Sequence, residues 1–77
     1  MKNISLGKLK PGRRGKVVEI QGGTVLQSRL MTMGIYVGKH ITKLGHFALN
    51  GPVSVRSGRT VIALGHGMAK KIIMETE

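Results

Sequence analysis

The sequence predicts a mainly β domain, a small closed or partly open barrel of about five short strands with one brief helix after the first full strand. Three observations lead to this expectation. Short β-branched segments recur along the chain, glycines mark the corners between them, and only one stretch has the apolar spacing of a helix. The 77 residues suffice for one small core, so residues 1–77 are expected to form a single domain.

An extended arm is expected at the N-terminus. Its apolar and polar residues alternate up to Gly7, and the Pro11-Gly12 dipeptide that follows is a strong turn signal. The arm has to dock on the core through its apolar side chains, which are Ile4, Leu6 and Leu9.

Two strands carry specific expectations about which side chains face inward. The first full strand covers residues 15–20, and its alternation points Val18 and Ile20 toward the core. The second covers residues 39–44, but Lys43 stands where a buried residue is expected. We therefore predict a bulge or an edge strand at that point.

One helix is predicted from Thr24 to Met33. Thr24 and Gln27 have the form of a capping box, in which both side chains satisfy free backbone groups at a helix N-terminus. Gly34 stands where a helix often ends in the left-handed conformation. A helix of about ten residues is marginal in water by itself, so its apolar face must pack on the strands. That face carries Leu26, Leu30 and Met33.

The C-terminal half is predicted to supply the remaining strands. A hairpin turn is expected at Ser57-Gly58, and Ala69 is expected to point inward from a tight turn. The segments are, in order, a loop at 45–51 that holds His46, Phe47 and Leu49, strands at 53–56 and 60–64, the tight turn at 65–69, and a closing strand at 71–74.

The chain is strongly basic, which bears on its partners. Thirteen Lys and Arg against three acids give a formal charge of +10, spread along the chain without a run of five. This field favours nucleic-acid phosphates, anionic lipid headgroups or an acidic protein face. With no long apolar run and no signal-peptide core, the expected location is the cytoplasm, without direct membrane insertion.

Catalytic groups are scarce, so no enzyme is expected. The chain has no Asp and no Cys, which excludes a Ser-His-Asp triad, a cysteine nucleophile, disulfides and thiolate metal sites. Its acids are Glu19, Glu75 and Glu77, and they form no pair suited to acid–base chemistry.

The order of these landmarks resembles the bacterial ferrous iron transport protein A (FeoA) domain over nearly the whole chain. The chain departs from the family's usual pattern at Val37, Lys43 and Gly65, where the family often has a proline, an apolar residue and a basic residue. The matching landmarks are Leu6-Gly7-Lys8-Leu9, Pro11-Gly12, Arg29-Leu30, Met33-Gly34-Ile35, Gly38, Gly51-Pro52-Val53, Ile62-Ala63-Leu64, Ala69 and Ile72.

The resemblance implies an SH3-like β-barrel with one inserted helix, and it implies a role. It indicates a small cytoplasmic accessory or regulatory protein of bacterial ferrous iron uptake that contacts the membrane ferrous iron transporter, which carries its own GTP-binding domain. Self-association into a homo-oligomer is left open. The candidate partner contacts are apolar residues around the helix end, Met31, Ile35 and Tyr36, although core packing is the simpler role for Met31 and Ile35.

Nucleic acid is the second class of partner that the sequence allows. The positive charge favours it, so a basic SH3-like nucleic-acid-binding protein is the alternative function. Against this alternative, only Tyr36 and Phe47 could stack on bases.

No cofactor is expected, and any binding of a divalent transition metal is expected to be weak. If metal binds, His46 and His66 are the expected ligands, including between two molecules.

Overall fold

Six strands form one antiparallel sheet in the computed structural model, which describes residues 2–46 and 51–76. The strands lie in the order β1-β6-β2-β3-β4-β5. Their bounds are β1 Lys2–Ser5, β2 Arg14–Ile20, β3 His40–His46, β4 Val53–Ser57, β5 Thr60–Leu64 and β6 Ile72–Thr76. Two α-helices, α1 Thr24–Thr32 and α2 His66–Lys70, and a 3₁₀ turn, Leu6–Lys8, complete the described part.

The predicted mainly β class with a helix after the first full strand is confirmed, but the strand count is six because the N-terminal arm is itself a strand. β1 pairs with β6, and the arm docks as expected, since Leu6 and Leu9 are buried and Ile4 is half-buried. In the described part of the chain β1 and β5 are the outermost strands and do not pair with each other. The sheet is therefore open, which was one of the two predicted alternatives.

A single aliphatic core fills the inner face of the sheet. The inner side chains of α1 behave as predicted, because Leu30 is fully buried while Leu26 and Met33 are partly buried against the same cluster. The buried apolar residues are Leu6, Leu9, Val17, Ile20, Leu30, Ile35, Ile41, Val53, Val55, Ile62, Leu64, Ala69, Ile72 and Met74.

A β-bulge in β2 changes which side chains face inward. Val17 pairs with Met74 and Glu19 pairs with Ile73, so the register shifts across the residue between them. Strict alternation was therefore wrong for Val18. Val17 is fully buried while Val18 is only half-buried, because the extra residue restarts the alternation.

Helix α1 begins one residue earlier than the predicted capping box at Thr24 and Gln27 requires. Gly23, with extended backbone angles, is the N-cap, and no side chain caps the helix. Thr24 is thus the first helical residue, and the predicted capping box is wrong. Gln27 instead donates its side-chain amide to the carbonyl oxygen of Gly22 over 3.2 Å. Glycine is accepted at the N-cap, so the helix forms without the hydroxyl cap.

The C-terminal half follows the predicted order with shifted boundaries. The β4–β5 hairpin turns at Gly58-Arg59, since Ser57 still pairs with Thr60, and Gly58 has a φ of +63°. The expected tight turn is the short helix α2, from which Ala69 points inward as predicted. β3 extends to His46, and the predicted loop positions Phe47 and Leu49 lie outside the described residues.

The helices are short. α1 has nine residues and α2 has five. Within residues 2–46 and 51–76, no helix has the length and apolar character needed to cross a membrane.

Candidate interaction surface

The C-terminus of α1 ends in a Schellman motif that fixes the chain leaving the helix. The amide of Gly34 donates to the carbonyl of Met31 over 3.0 Å, and the amide of Ile35 donates to the carbonyl of Leu30 over 2.9 Å. Gly34 has a φ of +87°, as predicted for the residue that ends the helix. This motif brings the residue after the glycine against the last inward helical residue, and both Leu30 and Ile35 are fully buried.

A long-range hydrogen bond ties this helix end to the sheet. The hydroxyl of Ser57, at the end of β4, donates to the carbonyl oxygen of Gly34 over 2.7 Å. Ser57 is buried, and a β-carbon on Gly34 would lie 3.3 Å from its oxygen. No local sequence pattern predicts this bond, because the two residues are 23 positions apart. The sequence around Ser57 predicts only a hairpin turn.

A tight turn follows the helix and anchors to β2. The amide of Lys39 donates to the carbonyl of Tyr36 over 3.0 Å, and Gly38 at the third position has a φ of +98°, the pattern of a type II turn. The amide of Gly38 donates to the carbonyl of Val17, and the amide of Val17 donates to the carbonyl of Lys39. The exposed side chains of the turn therefore stand on a backbone held at both ends.

The three predicted contact residues separate into two groups. Met31 is 61% exposed and Tyr36 is 40% exposed, whereas Ile35 is fully buried in the core. Core packing, the simpler alternative for Ile35, is what the structure shows. Val37, which the sequence analysis did not select, is 57% exposed beside Tyr36. A β-branched apolar residue directly before a turn glycine was the available signal. We call Met31, Tyr36 and Val37 the helix-end surface.

The helix-end surface borders a basic hollow on the outer face of the sheet. Tyr36 lines this hollow, of about 420 Å³, together with cationic side chains from β2, β4 and the turn. Those cations are Arg14, Lys39 and Arg56. An apolar surface thus adjoins a positively charged one, so a single partner could contact both.

Lys43 is the one cation that the fold takes out of solvent in the described part of the chain. Its side chain is 1% exposed on the inner face of β3, and its ammonium donates to the carbonyl oxygen of Gly7 over 3.0 Å. Burial lowers the pKa of the Lys43 ammonium below its ordinary value of 10.5. The predicted bulge is confirmed, since the register of β3 and β4 shifts between Lys43 and Gly45. The alternative of an edge strand is wrong, because β3 lies between β2 and β4.

Metal-ligating side chains do not cluster in the described residues. Across 2–46 and 51–76, no three His, Asp or Glu side chains form a group that could hold a metal ion. His46 ends β3 and His66 begins α2. A metal site using these two histidines stays a prediction.

Comparisons with known proteins agree on one family. The model of the FeoA domain matches residues 4–76. A protein of Methanocaldococcus jannaschii named "Putative Fe(2+) transport protein A" is 35% identical over 66 residues, which are 86% of this chain and 78% of that protein.

Solved structures share the fold. A crystal structure of an iron uptake regulatory protein (FeoA) has a TM-score of 0.87 at 29% identity and covers 97% of both chains. A FeoA-like protein from Clostridium acetobutylicum has a TM-score of 0.82 at 27% identity over 97% of this chain and 87% of its own. A manganese-dependent transcriptional repressor has a TM-score of 0.87 at 20% identity, over 97% of this chain and 42% of the repressor, which shows the fold alone.

Proposed function

The chain belongs to the FeoA domain family, and on that premise we propose that it is a small cytoplasmic accessory protein of ferrous iron uptake. It acts by binding the GTP-binding cytoplasmic domain of the membrane ferrous iron transporter. The observation that carries this proposal is the helix-end surface, where Met31, Tyr36 and Val37 expose apolar side chains on a rigid backbone.

Rigidity is what makes this surface suited to binding. Exposed apolar side chains gain free energy when a partner covers them, but ordering a flexible segment on binding takes much of that gain away. Here the Schellman motif at Gly34, the bond from Ser57 and the bonds between β2 and the turn hold the backbone before the partner arrives. The surface therefore enters the complex preorganised.

The aromatic residue gives the surface its strongest single contact. Tyr36 combines a large apolar ring with a hydroxyl that can reach a polar partner group, and tyrosine is enriched among residues that dominate interface energies. Its 40% exposure leaves the Tyr36 side chain accessible to a partner. Truncation of Tyr36 should accordingly weaken the complex more than truncation of Val37.

We also infer that the role is not enzymatic. The chain carries no Asp, no Cys and only three Glu. Binding, rather than a reaction at its own surface, is the activity that these side chains support.

Capture of the protein by the transporter's GTP-binding domain tests this proposal. The domain is immobilised, and binding is measured at about physiological salt with a competitor polyanion, so that nonspecific charge attraction is suppressed. The paired change Met31→Ala and Tyr36→Ala is expected to weaken binding by at least about tenfold, since each side chain is a candidate for more than about 1 kcal/mol.

Val25→Ala is the matched control. Val25 is an apolar residue at the opposite end of α1, and it is also largely exposed. Its variant should bind within about twofold of the unaltered protein. The proposal fails if the unaltered protein is not retained by the domain, or if the paired change and the control bind equally well. Retention on RNA in place of the domain would support the nucleic-acid alternative.

A further inference from the structure

We propose that the partner also fills a basic trough on the outer face of the sheet with an acidic segment of its own chain. This inference rests on the proposed function and gives the partner a chemistry: an apolar group that covers the helix-end surface, followed by carboxylates. The basic trough is defined by five cationic side chains, Arg13, Arg14, Lys16, Lys39 and Arg56.

The basic trough consists of two adjoining hollows. One has a volume of about 430 Å³ and the other about 420 Å³, and Arg14 and His40 line both. Among the described residues that line the two hollows, the five cations face one acid, Glu75. The described lining is therefore strongly positive, and an anionic occupant suits its charge.

Strand register explains why the cations gather here. Arg14 on β2 pairs with Thr42 on β3, and Thr42 pairs with Arg56 on β4. Paired residues of an antiparallel sheet point to the same face, so the two arginines flank the threonine on the side away from the core. Two strand spacings separate their backbones by about 10 Å. A row of this kind presents two planar guanidinium groups, each able to hold a carboxylate through two hydrogen bonds.

The trough and the helix-end surface are continuous through Tyr36. The Tyr36 side chain belongs to the helix-end surface and also lines the second hollow. A segment whose apolar residue covers Tyr36 is thereby placed at one end of the basic trough. Because an extended chain advances about 3.3 Å per residue, roughly three further residues span the distance of about 10 Å from β4 to β2.

An acidic protein segment fits this trough better than a nucleic acid. Single strands are bound by grooves that combine cations with several aromatic side chains, each of which stacks on a base. The described part of the trough offers only two rings, the phenol of Tyr36 and the imidazole of His40, beside its five cations. Carboxylates need no stacking partner, and the row of Arg14 and Arg56 serves them directly.

Charge reversal with a matched control tests the inference. The trough variant carries Arg14→Glu and Arg56→Glu, and the control carries Lys70→Glu and Lys71→Glu. Lys70 and Lys71 are exposed, lie outside both hollows and sit beyond the other end of β2, where the Gln21 amide donates to the Lys71 carbonyl. Both variants lower the net charge by the same amount, so a difference between them reports position and not total charge.

Association with the transporter's GTP-binding domain is measured for both variants at about 0.05 M and about 0.3 M salt. The trough variant is expected to bind at least about tenfold more weakly at low salt and to show a flatter salt dependence, while the control stays within about twofold. Because charge reversal could disturb folding, Arg14→Gln with Arg56→Gln is measured as well and should give a smaller loss in the same direction. Thermal unfolding of each variant checks that it remains folded.

Each result has one meaning. Equal losses in the trough variant and the control overturn the inference, because they show a general effect of charge. A loss with Met31→Ala and Tyr36→Ala but not with the trough variant overturns the inference and leaves the proposed function standing. If the unaltered protein does not bind the domain, the inference and the proposed function are both wrong. If single-stranded RNA binding, and not domain binding, is lost in the trough variant, the trough serves nucleic acid and the inference is wrong.

Discussion

The ammonium of Lys43 donates a hydrogen bond to the carbonyl oxygen of Gly7 over 3.0 Å and so joins the middle of the sheet to the N-terminal 3₁₀ turn. The backbone of Lys43 makes two more bonds to the N-terminal segment, from its amide to the Arg13 carbonyl and from the Gly12 amide to its own carbonyl. One residue therefore fixes the segment before β2 at several points. An apolar residue at this position would keep the backbone bonds but would have no donor for the Gly7 carbonyl.

Truncation of Lys43 is expected to destabilise the fold by about 2–4 kcal/mol, because it leaves a cavity in the core and an unpaired Gly7 carbonyl. Lys43→Met also leaves the Gly7 carbonyl unpaired, but it keeps most of the side-chain volume and removes the buried charge, so its net cost should stay within about 1 kcal/mol. Urea unfolding of Lys43→Ala and Lys43→Met measures both. A Lys43→Ala variant as stable as the unaltered protein would show that the side chain does not pack as described.

Stability is also expected to depend on pH through Lys43. Burial lowers the pKa of this ammonium in the folded state below 10.5, so between the lowered value and 10.5 the unfolded chain binds more protons. The free energy of unfolding then rises with pH across that window, and the penalty of burying the charge is fully present below it. Relative to Lys43→Met, the unaltered protein should gain stability as the pH rises toward 10.5. A difference that stays flat or falls would contradict the assignment.

The glycine at the end of α1 is expected to resist substitution for two reasons. Gly34→Ala forces an alanine to a φ of +87° and brings its β-carbon within 3.3 Å of the Ser57 hydroxyl. Gly12→Ala is a matched control, since Gly12 has a φ of +88° with no atom near the added carbon. Both should lose about 1–2 kcal/mol to the left-handed backbone, and Gly34→Ala should lose more, as measured by thermal unfolding. Equal losses would show that Ser57 yields without cost.

Proline at position 37 is expected to stabilise the protein. Val37 is the second residue of the type II turn from Tyr36 to Lys39, a position that proline favours. Val37→Pro should raise the free energy of unfolding by about 0.4–1 kcal/mol, mainly by restricting the unfolded chain. A higher melting temperature with unchanged secondary structure is the expected result. A lower one would mean that the backbone at this position does not match proline.

Substitutions at nearby positions are expected to affect either folding or partner binding. Leu30 is fully buried, so Leu30→Glu places a charge in the core and should unfold the domain. Tyr36 is partly exposed, so Tyr36→Ala should leave the circular dichroism spectrum and the cooperative unfolding transition intact while weakening partner binding. Unfolding caused by Tyr36→Ala would assign that side chain to the core.

Local patterns were enough to predict the helix end but not the contacts that fix it to the sheet. Gly34 is predicted from the sequence because a helix end needs a residue tolerant of positive φ. Its bond from Ser57 and the bond from Lys43 to Gly7 join residues 23 and 36 positions apart, and no local pattern encodes such pairs. The inward residue of β2 was misassigned for the same reason, because the bulge at Val18 depends on pairing with β6.

The candidate contact residues also show what local sequence patterns can and cannot predict. Apolar character selected Met31, Ile35 and Tyr36, but the Schellman motif turns Ile35 into the core and leaves the other two outside. A glycine followed by an apolar residue was the signal for that burial. Neither the neighbouring Val37 nor the cations that surround Tyr36 could be placed without the register of β2, β3 and β4.

An amide chemical-shift map of the isotope-labelled protein, titrated with the unlabelled GTP-binding domain of the transporter at about physiological salt, locates the binding surface residue by residue. The largest shifts are expected on residues 31–38, with a second group on β2 and β4 around Arg14 and Arg56. Shifts confined to the outer strand β5 and to α2, with residues 31–38 unchanged, would contradict this binding surface.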